Sequence, residues 1–138
     1  MDQTNYQDVV RKFVAALRRK RIDIGEEWFQ QDGAPCHAAI STLGMLRRIF
    51  GNRVISRRTD NPWPARSPDL NPCDFFLWGY VKNQVFSDSP ETVAELKDQI
   101  RQKLSQVTPE MCQRTLQNFV KRVRACTAVQ GRHFEHLM

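Results

Sequence analysis

Two segments hold the residues best suited to chemistry: WFQQDGAPCH at positions 28–37 and WPARSPDLNPCDFFLWG at positions 63–79. Each contributes an aspartate, Asp32 before a glycine and Asp74 shortly after Asn71 and Pro72. Carboxylate oxygens are hard donors that suit Mg²⁺ or Mn²⁺. Two such ions about 4 Å apart can cleave a phosphodiester, one activating the nucleophile and the other stabilising the leaving oxygen. Both aspartates also have a structural reading. An Asp that ends a strand before Gly forms turns, and an Asp in the first turn of a helix is favoured by the helix dipole whatever else it does.

The surrounding elements have to place these carboxylates. Residues 28–32 read as a short strand ending on Asp32 and stopped by Gly33, Ala34 and Pro35. Val54, Ile55 and Ser56 form a second brief strand after the Gly51-Asn52 turn. Pro62, Pro64, Pro68 and Pro72 make residues 61–72 a stiff loop, because proline breaks helices and cannot pair in a central strand. Asn71 is a good N-cap, with Pro72 at the first helical position and Asp74 at the third, opening an aromatic helix. A further helix is predicted over about residues 5–20, where Thr4 and Gln7 have capping-box spacing and Tyr6, Val9, Val10, Phe13 and Leu17 recur at helical intervals. Others are predicted over about residues 38–50, from Ser89-Pro90-Glu91, and from Thr108-Pro109-Glu110 to a stop at Gly131. Trp63, Phe75, Phe76 and Trp78 read as packing residues rather than platforms for stacked bases.

A chain of 138 residues that is 41% hydrophobic and 26% charged has the composition of one small globular domain. No run approaches the roughly 18 apolar residues of a membrane span, and the N-terminus lacks a signal-peptide pattern. These features argue against a membrane partner and for a cytoplasmic or nuclear protein. Cys36, Cys73, Cys112 and Cys126 are scattered, and read as small buried hydrophobes rather than a zinc site. The net charge of +6 favours a polyanionic partner, because cations placed on phosphates release counterions.

Together the two segments resemble the second and third acidic motifs of mariner-type DDE/D transposases. A looser likeness runs from about Tyr6 to Gly131, Arg132 and His133. The resemblance implies an α/β, ribonuclease H-like fold and metal-dependent DNA cleavage and strand transfer in the nucleus. It makes Asp32 the second catalytic acid and Asp74 the third, both ligands of Mg²⁺ or Mn²⁺. His37, which follows the second acid, would touch a phosphate or water or serve as a hydrogen-bonded structural residue. Arg57, Arg58 and Arg66 flank the site as candidates for phosphate contacts, with a solvated face as the alternative. Asp69 falls in the proline loop, where a turn or capping role is expected. The implied partners are DNA, as transposon ends, and other transposase chains.

One helix occupies most of the residues before Trp28, which leaves no place for the strands that carry the family's first acid or for its N-terminal DNA-binding region. The expected fold is therefore an incomplete ribonuclease H-like one, mostly helical with about two short strands. The expected function is that of a catalytic-domain remnant, inactive alone; the alternative is a catalytically dead protein that binds DNA or another transposase chain. An unpaired strand edge and exposed apolar positions at Val9, Phe13, Leu96 and Ile100 are expected to make the chain poorly stable or prone to associate.

Overall fold

The computed structural model describes residues 1–137, which divide into two compact units, residues 1–66 and 67–137. The first is built on the apolar stripe of helix α1 (Gln3–Arg19), from which Val10 and Val14 are buried. This helix starts one residue before Thr4. Asp2 is its N-cap and accepts from the Asn5 amide at 2.8 Å, so a carboxylate cap replaces the predicted capping box. Helix α2 (Ile40–Phe50) supplies Met45, Leu46 and Phe50 to the same core, which Val54 completes.

The core backs a parallel sheet of three very short strands in the order β1 (Phe29–Gln30), β2 (Val54–Ser56) and β3 (Asn61–Pro62). The sequence led us to expect two strands. The third comes from the start of the proline loop, where Pro62 is tolerated because β3 lies at the sheet edge. Only residues 57–60 join β2 to β3. Thr59 braces this short connection: its hydroxyl accepts from the Ser56 amide at 3.2 Å and lies 2.9 Å from both the Val54 and Asn61 carbonyls. Val9 is 50% exposed, Phe13 46% and Trp28 55%, so part of the expected apolar exposure is present.

The second unit is helical throughout. A 3₁₀ turn (Pro68–Leu70) leads into a π-helical turn (Cys73–Leu77) that continues as helix α3 (Trp78–Ser87). Helix α4 (Val93–Ser105) packs on α3. It begins later than Ser89-Pro90-Glu91 suggests, because Thr92 and Glu95 form a complete capping box while Ser89 takes a left-handed φ of 45°. Leu96 and Ile100 of α4 are half-buried rather than exposed. Helix α5 (Pro109–Ala128) follows the Thr108 N-cap as predicted. Cys36, Cys73 and Cys126 are half-buried, whereas Cys112 is exposed rather than a buried hydrophobe. Among the described residues no helix is long and apolar enough to cross a membrane.

Helix α5 ends in a Schellman motif. The Gly131 amide bonds the Cys126 carbonyl at 2.9 Å and the Gln130 amide bonds that of Thr127 at 3.0 Å. Both Gln130, at φ 56°, and the expected Gly131, at φ 78°, have positive φ, and Gln130 is the residue that closes the helix. A side chain costs about 1 kcal/mol in that conformation. Gln130→Gly is therefore expected to stabilise the unit by about 1 kcal/mol, partly offset by the entropy glycine adds to the unfolded chain. Thermal unfolding should show a higher midpoint; an unchanged or lower one would show that the cap is not strained.

Candidate functional site

Asp32 lies just beyond the C-terminal end of β1, where the chain turns. Its Oδ1 accepts from the Ala34 amide at 3.0 Å and from His37 Nδ1 at 2.5 Å. A carboxylate can only accept, so the imidazole carries its proton on Nδ1. Both bonds fall on one oxygen. Oδ2 takes part in neither bond, and the Asp32 side chain is 44% exposed.

The sequence reading missed the residues that hold this carboxylate in place. Strand alternation puts Gln31 on the same face as Phe29, toward the core, where its carboxamide is buried and must be satisfied. Its oxygen accepts from the Tyr6 hydroxyl at 2.7 Å, and its nitrogen donates to the His37 carbonyl and the Ser56 hydroxyl, both at 2.9 Å. The Tyr6 ring also lies on the His37 imidazole, with centroids 4.1 Å apart. Burial, and then the nearby Cys36 and Asp32, push the Tyr6 phenol up to about 12, so it remains a donor across the ordinary pH range. Thus α1, β1, β2 and the turn after Asp32 are tied to one another through Gln31. A glutamine at a core-facing strand position was the available signal.

Of the three predicted arginines, Arg57 runs beside Gly33, the residue after Asp32. A Cβ on Gly33 would sit 3.3 Å from Arg57 Cδ, so the arginine stem runs over the glycine that follows the aspartate. Arg58 and Arg66 are exposed.

Asp74 occupies the second residue of the π-helical turn and is exposed. The predicted N-cap holds: Asn71 Oδ1 accepts from the Cys73 amide at 3.3 Å, and Asn71 Nδ2 donates to Asp74 Oδ2 at 2.8 Å. The π geometry was not legible in the sequence. Such turns widen a helix locally and recur at functional sites. The turn is anchored by Arg122 of α5, which is only 8% exposed. Its guanidinium lies 4.3 Å from the Phe75 ring centroid, donates to the Asp69 carbonyl at 3.0 Å, and pairs with Glu135. The Asp69 bond is made by its backbone carbonyl; its carboxylate is 3.7 Å from His133 Nδ1. Trp78, read as a packing residue, is 47% exposed.

Both aspartates have the donor chemistry that Mg²⁺ or Mn²⁺ requires. Among the described residues, no three His, Cys, Asp or Glu side chains gather in a way that would hold a metal.

No protein-family model matches the chain. It is 37% identical over 106 residues to the Tc3 transposase of Caenorhabditis elegans, a match covering 72% of this chain and 28% of the relative. It is 24% identical over 132 residues to the Tcb1 transposase of Caenorhabditis briggsae, covering 95% of this chain and 45% of the relative. The chain thus spans less than half the length of these relatives. Its fold matches that of the Mos1 transposase catalytic domain, solved with Raltegravir and Mn, at a TM-score of 0.83 and 23% identity, over 98% of this chain and 66% of the other. The architecture is accordingly ribonuclease H-like, mostly helical with a small three-stranded parallel sheet. Sequence and fold agree that the chain is a homologue of the mariner/Tc1 transposases, corresponding to a part of their length.

Proposed function

We propose that the chain carries the second and third acidic residues, Asp32 and Asp74, of a transposase-type centre that cuts and joins DNA with Mg²⁺ or Mn²⁺, and that alone it binds DNA in the nucleus without cutting it. The observation that carries this reading is the state of Asp32 within a chain homologous to transposases. One carboxylate oxygen is fixed by His37 and Ala34, the other takes part in neither bond, and the side chain is 44% exposed. A divalent ion bound there would supply Lewis-acid activation of a phosphodiester and its attacking oxygen. The chain's own part is to hold the carboxylate at a set angle, which the Tyr6–Gln31–His37 network does by removing the freedom of the turn. His37 acts in this reading as the positioning partner of Asp32 rather than as a phosphate contact.

Two carboxylates leave at least one ion of a two-metal centre underliganded. The chain incubated with supercoiled plasmid and Mg²⁺ or Mn²⁺ is therefore expected to leave it uncut. Nicking that disappears in both Asp32→Ala and Asp74→Ala would replace this reading with that of a complete enzyme. Mn²⁺ titrated into the labelled protein should broaden the Gly33 and Ala34 amide signals, and Asp32→Asn should abolish the effect. If broadening persists in that variant, Asp32 is not a ligand.

A further inference from the structure

The sequence suggested that Phe75 and Phe76 are packing residues, yet both line a cavity of about 230 Å³ shared with Met111, Arg114, Thr115 and Asn118. That is smaller than the roughly 300–1,000 Å³ of pockets that enclose drug-sized ligands, and is the scale of a single ring system. The walls differ in character. Phe75 is held from one side by the Arg122 guanidinium, so this aromatic surface is rigid before anything binds. Phe76 is stacked on Tyr80 at 5.8 Å between centroids. Thr115 spends its hydroxyl on the Met111 carbonyl at 2.8 Å. Asn118 does not: its carboxamide oxygen is buried with no hydrogen-bond partner among the described residues. A buried acceptor left unpaired carries a desolvation penalty, which an incoming N–H donor would relieve once the Asn118 side chain turns that oxygen into the cavity it lines. Arg114 is exposed and brings positive charge to the wall. Asp74, adjacent to Phe75 in the same π-helical turn, is one of the two acids proposed above for the DNA-cutting centre.

We infer that this cavity receives an unstacked nucleobase of the DNA strand held next to Asp74. The planar face goes to the phenylalanines, an amino or imino N–H goes to Asn118, and the adjoining phosphate goes to Arg114. Aromatic surface, a single unpaired carboxamide and a cationic wall form the combination by which proteins hold bases of single-stranded nucleic acid. The inference rests on the DNA-binding reading above and adds to it a base subsite.

The test uses the full chain and a thymidine oligonucleotide of about 12 residues, a length typical of single-strand sites, with 2-aminopurine at its centre and a dye at one end. Dye anisotropy reports binding to the strand, and 2-aminopurine emission reports the environment of that base. Binding is expected to change the emission. Phe75→Leu and Asn118→Leu should abolish that change and weaken binding on the order of tenfold, the scale of one lost base contact. Asn118→Leu leaves the Arg122–Phe75 contact intact, so it decides the matter if Phe75→Leu disturbs the fold. Binding by anisotropy with unchanged emission would overturn the base subsite and leave the DNA-binding reading standing. An emission change that survives in both variants would overturn it too. Absence of any anisotropy change would sink both readings.

Discussion

Phe50→Ala is expected to cost the Met1–Arg66 unit about 3–5 kcal/mol, the range for deleting a large aromatic from a packed core. Phe50 is 2% exposed and its ring stacks on that of Phe29, with centroids 5.1 Å apart. Phe29 is the first residue of β1, and Asp32 follows just after that strand. The resulting hole therefore opens beneath the segment that carries the candidate metal ligand. Small domains are stable by only about 5–15 kcal/mol in total, so the loss should leave this unit largely unfolded at moderate urea while the helical unit of residues 67–137 persists. Phe13→Ala supplies the contrast: the residue is 46% exposed, and the cost should be much smaller. Urea unfolding followed by hydrogen exchange, read separately for the two units, measures both. A loss below about 1 kcal/mol for Phe50→Ala would mean that the core around β1 collapses onto the hole, or is already loosely packed.

The same region shows which features a sequence can disclose. Helix α5 was legible because Thr108, Pro109 and Glu110 give three consistent N-terminal signals, and β2 because Val54 and Ile55 follow a Gly-Asn turn. Both are local. At the start of α1, two local signals competed, and Asp2 displaced the spacing of Thr4 and Gln7 because an aspartate caps with a full charge. The π-helical turn follows no sequence period. It arises where Asn71 fixes the entry of the chain and Arg122, far along the sequence, holds Phe75. The network around Asp32 is non-local as well. Tyr6, Gln31 and Ser56 meet only because α1, β1 and β2 come together, and no spacing rule ties a tyrosine to a glutamine on another element. The two aspartates stood out as candidates because each sits in a long, unusual motif, whereas the contacts around them did not.

Arg57, Arg58 and Arg66 should account for a measurable share of the salt sensitivity of DNA binding. All three are exposed. The basic run at Arg18, Arg19, Lys20 and Arg21 is exposed too, whereas the second basic stretch, near residues 121–124, loses Arg122 to its buried contacts with Asp69, Glu135 and Phe75. Each phosphate neutralised contributes about 0.9 to the slope of log affinity against log salt on duplex DNA. If the three arginines each meet a phosphate, replacing all of them with alanine should flatten that slope by about 2.7. Across a rise from about 50 to 200 mM salt, that is a difference of roughly 40-fold in how far binding falls. The wild-type protein should bind duplexes of unrelated sequence with similar affinity, because phosphate contacts carry no base information. Anisotropy titrations of the two proteins on two unrelated duplexes at several salt concentrations give both quantities. An unchanged slope in the triple variant would assign the phosphate contacts elsewhere, with the basic end of α1 next to be tested. Strong preference for one duplex would show that the chain reads bases and not the backbone alone.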